Sequence, residues 1–313
     1  MCCKTEEGLY MSFLDTLNQM LVVLFTIALG YAAHKLGYLG GAVNQKLSKI
    51  IIHIGIPALT LAAVMNNSDG PGLEEIKGVL WTMAAFYGLS FGLAMILPRF
   101  IGGEKLQQGV WRFSMVFSNA AFVGYPVVEG LFGAEGLFYA VILVLPMTLF
   151  NYTLAPLMVS GKLRFSWKQF FTPGTICAVL ALAMTLTGWR PPAIVGEMMD
   201  LVGDITIPMS LLVLGSLLAA MPTSSVFSSP RLWILAAVRL FLMPAVLALV
   251  LGALGTDRLL MSVAVIQMAM PVAVNGSMMC MEFGGDAQTM AKGIFLSTVL
   301  CILTIPIVAA VFL

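Results

Sequence analysis

Residues 118–126 read Ser118-Asn119-Ala120-Ala121-Phe122-Val123-Gly124-Tyr125-Pro126, in the middle of an apolar stretch that runs from 110 to 132. A proline inside a helix removes a hydrogen bond and crowds the preceding turn, at a cost of about 3 kcal/mol or more. In hydrocarbon the freed backbone has no water to turn to. Such breaks persist there only where protein or a watery cavity surrounds them. A second stretch of the same kind, Gln267-Met268-Ala269-Met270-Pro271-Val272-Ala273-Val274-Asn275-Gly276-Ser277, interrupts the apolar residues 259–283. Both combine proline and glycine with amide and hydroxyl side chains. Proline kinks glued to neighbours by Asn and Ser would explain one such segment. Two of them, at matching places, point to a site built where interrupted helices cross.

The rest of the chain supplies the membrane that this reading needs. Of 313 residues, 60% are apolar and 10% charged, against about 25% charged in a soluble domain. Mean hydropathy is +0.98. A span needs roughly 20 apolar residues, and ten stretches qualify: 16–33, 47–65, 79–97, 110–132, 137–159, 174–189, 205–221, 232–254, 259–283 and 294–313. No loop between them is long enough for a soluble domain. The net charge of +1 leaves no basic face for nucleic acid. The five cysteines form no CxxC pair, so neither a disulfide framework nor a metal site is expected. No cofactor is implied. The first stretch lacks the basic flank of a cleaved signal, and Met11 is as good a start as Met1.

Lys and Arg orient the chain. Alternate loops, beginning with the one after the first span, hold Lys35, Lys46, Lys49, Arg99, Lys105, Arg112, Lys162, Arg164, Lys168, Arg231 and Lys292, whereas the other set holds Lys4, Lys77, Arg190 and Arg258. Both termini are therefore expected outside the cytoplasm, in an inner (cell) membrane.

Five spans plus five gives an inverted repeat. Ile54-Gly55-Ile56-Pro57 in the second span matches Ile205-Thr206-Ile207-Pro208 in the seventh, and Pro126 and Pro271 are each followed by Val. Pro57 and Pro126 are 69 residues apart, and Pro208 and Pro271 are 63 apart. The fifth and tenth spans echo one another at Thr153-Leu154-Ala155-Pro156 and Thr304-Ile305-Pro306. The expected organisation is an extracytoplasmic segment 1–15, a first repeat 16–159, a short cytoplasmic loop 160–173 and a second repeat 174–313. Helices four and nine are expected to be broken and to cross.

Half-helix N-termini carry about +0.5 charge and unpaired amides, which suits an anion. Asn119 and Asn275 are placed to donate to a carboxylate, and Asn151, mid-span in the fifth helix, either faces the same cavity or bonds a neighbouring backbone. His53, one turn before Pro57, reads either as a buried imidazole bonded to a neighbouring helix or as a protonation site. Arg239, inside the eighth span, reads as a side chain snorkelling to the cytoplasmic headgroups.

Asn119-x-x-Phe122-x-Gly124-x-Pro126, with Pro208 and Gly215, then Pro271 and Asn275, then Phe283-Gly284-Gly285-Asp286, Ser297-Thr298 and Thr304-x-Pro306, resembles the auxin efflux carrier family. That family comprises plant PIN-type carriers and bacterial relatives, among them malonate- and malate-type carriers. The resemblance covers nearly the whole chain. It implies an all-α polytopic protein of ten transmembrane helices in two inverted five-helix repeats. Spans 1, 2, 6 and 7 would form a scaffold, and the other six would move as an elevator. It implies organic anions as substrates, with Asn119, Pro126, Asn151, Pro271 and Asn275 as substrate-binding positions. The short central loop departs from many plant carriers and suggests a bacterial member handling small carboxylates.

The serious alternative is a sodium-coupled carrier of the related bile-acid symporter fold. Ser118, Gln267, Glu282 and His53 are candidates for coupling to Na+ or H+, and a homodimer is the candidate assembly. An intramembrane enzyme is disfavoured: Gly88-Leu89-Ser90-Phe91-Gly92 matches the nucleophile-elbow pattern but lies inside an apolar span. A channel is disfavoured because no filter-like loop or charged ring is visible.

Overall fold

The computed structural model describes residues 13–66, 73–161, 171–221 and 226–313. Most of the expected segment 1–15, including Met11, Cys2 and Cys3, lies outside the described residues, as does most of the loop 160–173.

Among the described residues every regular element is a helix. The chain forms α1 (Phe13–Lys35), α2 (Gly41–Ile50), α3 (Ile56–Asn66), α4 (Leu73–Ile101) and α5 (Lys105–Val116). It continues through α6 (Tyr125–Ser160), α7 (Pro173–Thr187), α8 (Ala193–Gly203), α9 (Thr206–Ala220) and α10 (Pro230–Ala237). It ends with α11 (Met243–Ala253), α12 (Arg258–Met268), α13 (Gly276–Phe283) and α14 (Ala287–Phe312). Local chemistry sets the ends. Thr172, Asp257 and Asp286 cap α7, α12 and α14 by accepting the backbone N–H three residues on. Gly161, Gly188 and Gly284 close α6, α7 and α13 in left-handed conformation.

Among the described residues seven helical segments are long and apolar enough to cross a bilayer. Three of the ten expected spans do not stand as separate long helices. The fourth is split at 117–119 between α5 and the start of α6, and Gly133, whose φ 66° and ψ −160° are not helical, separates it from the fifth. The sixth is 15 residues long, and the ninth is split between α12 and α13.

Three π-helical turns, Ile51–Gly55, Ala120–Gly124 and Val238–Leu242, share one cause. Each is followed by one residue and then a proline: Pro57, Pro126 and Pro244. The residue before each proline donates five residues back, to Ile51, Ala120 and Val238. Widening the turn accommodates a ring that cannot donate and would clash with the carbonyl four residues earlier.

The helices pack in two groups. In one, α1 lies along α9, α2 also meets α9, and α3 meets α7 and α8. A methyl on Gly30 would overlap the Leu212 carbonyl, and one on Gly215 the Ile27 carbonyl, so these glycines are what lets α1 and α9 touch backbone to backbone. In the other group, α5, α12 and α13 surround α6, while α4, α10, α11 and α14 complete the bundle. The groups meet where α1 touches α6 and α14, and where α3 touches α6. Outward-facing Phe25, Trp81, Met95, Phe100 and Leu249 are exposed, as side chains in contact with lipid tails must be.

Candidate functional site

The two breaks meet. After α5 the chain is extended at Phe117 and Ser118, and after α12 it is extended around Val272. Ser118 and Val272 form an isolated antiparallel bridge. The Asn119 N–H donates to the Pro271 carbonyl at 2.7 Å, and the Ala273 N–H donates to the Phe117 carbonyl at 3.1 Å. Backbone freed by one break is thus paired with backbone freed by the other, which meets the demand that hydrocarbon imposes. Pro271 lies within its break. Pro126 does not: the first interruption is at 117–119, and the proline follows the π turn Ala120–Gly124 inside the resumed helix. The expectation that Pro126 itself breaks the fourth span is corrected accordingly.

A cavity of about 170 Å³ opens beside the crossing. Ser118, Asn119, Asn151, Asn275, Thr60, Thr148 and His53 are its main polar lining, with Ile56, Phe117, Phe122, Tyr125 and Met147 among the apolar walls. Asn119 immediately precedes the π turn that leads into α6, and Asn275 is the residue before α13. Each amide therefore stands at the positive end of a half-helix. The Asn275 Nδ2 donates to Asn151 Oδ1 at 2.9 Å. The Asn119 Nδ2 is buried with no partner among the described residues. An orphaned donor of this kind costs roughly 1–3 kcal/mol unless something else accepts its hydrogens.

Of the remaining sequence-predicted residues, Ser118 is buried with its hydroxyl 4.0 Å from Met147 Sδ. Gln267 is fully buried against Gly124, where a methyl would overlap its Oε1, and neither amide atom has a partner. Glu282 is exposed on α13 and does not line the cavity. His53 does line it, but it is exposed rather than buried. Its Nδ1 is 3.0 Å from the Lys49 carbonyl of the preceding turn, not bonded to another helix. Arg239 does not snorkel. It is wholly buried, and its Nε donates to the Met270 carbonyl at 3.1 Å and its Nη1 to the Met115 carbonyl at 2.9 Å.

Two residues were given no place at the site in the sequence reading, although Ser297 is among those that carry the family resemblance. Tyr87 of α4 inserts its hydroxyl into α6, donating to the Leu143 carbonyl at 2.6 Å and accepting from the Met147 N–H at 3.2 Å. It thereby bridges the helix beside Pro146 and sets the wall that carries Met147, Thr148 and Asn151. The internal Pro146 is the signal that points to it. Ser297 accepts the Val272 N–H at 3.1 Å and returns its proton to the Gly293 carbonyl. Ser90 of the nucleophile-elbow pattern is buried within α4 and donates to the Phe86 carbonyl, with no turn beneath it.

This geometry agrees with what the chain is similar to. The family described as membrane transport protein matches residues 15–163 and 157–309. The chain belongs to that family, the auxin efflux carriers and their relatives. It is a multi-pass membrane transporter and not an enzyme. An uncharacterized transporter of Methanothermobacter thermautotrophicus is 26% identical over 301 residues, covering 95% of this chain and 98% of that protein. A Rhizobium meliloti protein named "Putative malonate transporter" is 20% identical over 293 residues, 89% of this chain and 90% of its own. Protein PIN-LIKES 7 of Arabidopsis thaliana is 34% identical over 149 residues, 42% of this chain and 37% of its own.

Proposed function

We propose that the protein is a secondary carrier of small organic anions, carboxylates in particular, with its site at the crossing of the two broken helices. The observation that carries this reading is the Asn119 amide, buried and unpartnered on the wall of the cavity beside the positive end of a half-helix. A carboxylate oxygen supplies the missing acceptor. Asn275 and Asn151 provide a second polar contact, and Phe117, Phe122 and Tyr125 enclose the apolar part of the substrate. Binding by amides and dipoles, with no Lys or Arg in the lining among the described residues, lets the anion leave as readily as it enters. The relative named for malonate supports a dicarboxylate of that size.

In this reading the chain crosses the inner membrane ten times as two inverted repeats, 16–159 and 174–313, with both termini extracytoplasmic and the loop 160–173 cytoplasmic. The group containing α1, α3, α7 and α9 is the scaffold, and the group around α6 slides past it. A homodimer joined through the scaffold would keep that element still.

One observation favours a second reading, a sodium-coupled symporter of the bile-acid type. Gln267 is fully buried beside the crossing with its Oε1 unsatisfied, and an amide oxygen is a ligand for a hard cation. Uptake of radiolabelled malonate, malate and indole-acetate into proteoliposomes, with sodium and proton gradients imposed separately, tests both. Saturable carboxylate flux that Asn119→Ala sharply reduces is the expected result, and the effective gradient names the coupling. Absence of flux for every carboxylate under either gradient refutes the substrate class.

A further inference from the structure

Arg239 is a full charge with no exposed surface, in the middle of a helix that the sequence places in lipid. Its hydrogen-bond partners are two backbone carbonyls, and Met243 Sδ lies 3.6 Å from Nη1; no carboxylate faces it among the described residues. An uncompensated guanidinium in such a place is costly, so its surroundings must offer negative potential. They do, from an unusual source. Met115 is the penultimate residue of α5, and Met270 lies two residues beyond the end of α12. The guanidinium is bonded to one orphan carbonyl from the end of each broken helix.

A helix C-terminus carries about −0.5 charge. Two of them meeting at one point roughly match a single guanidinium. The positive ends of the resumed helices, at Asn119 and Asn275, are thereby left without a compensating negative pole beside them. The π turn Val238–Leu242 contains Arg239, and Pro244 follows it. The guanidinium position is therefore built into the same proline-dependent device that follows the first break.

We propose that Arg239 is the positioning residue of the transport site: it pins the two breaks in register and neutralises their negative poles, so that the cavity favours an anion although no Lys or Arg lines it among the described residues. The anion part rests on the carrier reading above; the pinning part does not. The residue touches no substrate and acts through backbone at Met115 and Met270.

Hydrogen exchange of the purified protein in nanodiscs, followed by mass spectrometry, tests the pinning without any substrate. In R239Q, peptides spanning 115–119 and 270–273 should exchange roughly tenfold or more faster, the loss expected for charge-assisted hydrogen bonds, while the α1–α9 contact stays protected. R239K, which keeps the charge, should restore protection in both segments. Wild-type exchange in R239Q at both breaks overturns the proposal. If R239Q does not fold, R239K carries the test: protected breaks support the proposal, and breaks that both open in R239K overturn it.

The electrostatic part is read as a split in malonate uptake. KM should rise roughly tenfold in R239Q with little change in kcat, and R239K should recover most of the affinity. A fall in kcat alone overturns it. Should wild type move no carboxylate at all, the carrier reading fails while the exchange result still decides the clamp.

Discussion

The two breaks are related by position but finished differently. The second, around Pro271–Asn275, is held by side chains: Ser297 takes the Val272 N–H, and Asn275 is bonded to Asn151. The first, at Phe117–Asn119, has its backbone tied to the second break, but its side chains are idle. The Asn119 amide has no partner, and Ser118 meets only a thioether. A site assembled from one satisfied and one unsatisfied break has a direction. The satisfied half is rigid before the ligand arrives, and the unsatisfied half is completed by it. Asn119 should therefore contribute most of the differential affinity, and Asn275 should act mainly by holding Asn151 in place.

Substitution can break this contrast. Asn119→Ala is expected to have the largest effect, reducing carboxylate transport by about 10- to 100-fold, the worth of a hydrogen bond to a charged group, with surface expression intact. Flux and membrane abundance measured together check it. Asn275→Ala should weaken transport less, by roughly fivefold, because Asn151 is left free to rotate into the cavity. Combining it with Asn151→Ala should add little to the single change. A double-mutant cycle on KM that proved additive would mean that the two amides contact the substrate independently. Normal flux in both Asn119→Ala and Asn275→Ala would remove the crossover from consideration as the site.

What could be read from the sequence follows from what single residues reveal. Helicity, the membrane and the two interrupted stretches were legible because hydropathy and proline act locally. The crossing itself was inferred from symmetry, and the backbone bridge between Ser118 and Val272 supports it. The exact interruption was misplaced, because proline marks the helix that resumes after the first break rather than the break. Arg239 was misread because a long cation inside a span with no acidic partner in view snorkels by default. Only the fold brings two half-helix C-termini to it. Tyr87 was missed for a related reason: Pro146 signals backbone freed in α6, but nothing in α4 signals the hydroxyl that reaches it. The π turns before Pro57, Pro126 and Pro244 could not be read from X-Pro pairs alone, because Ile207-Pro208 and Ile305-Pro306 also lie inside apolar spans and stand in α-helix without a π turn.

The loop 160–173 offers a check on orientation that does not depend on the site. A cysteine placed there should resist an impermeant reagent applied to intact cells and react after permeabilisation. Labelling from outside would invert the topology and exchange the faces to which the two breaks open.

The smallest effects sharpen the comparison most, because they separate hydroxyls that look alike in sequence. Ser297→Ala leaves the Val272 N–H buried without its acceptor, so thermal unfolding in detergent should show a loss of about 1–2 kcal/mol, with KM nearly unchanged. Ser118→Ala removes only a contact at 4.0 Å from Met147 Sδ. It should leave stability within about 0.5 kcal/mol, as for a substitution that breaks no strong interaction. If Ser118→Ala instead abolished the dependence of flux on a sodium or proton gradient while stability held, its hydroxyl would be an ion ligand. The first break would then be completed by substrate and ion together, and the asymmetry between the breaks would be the coupling device.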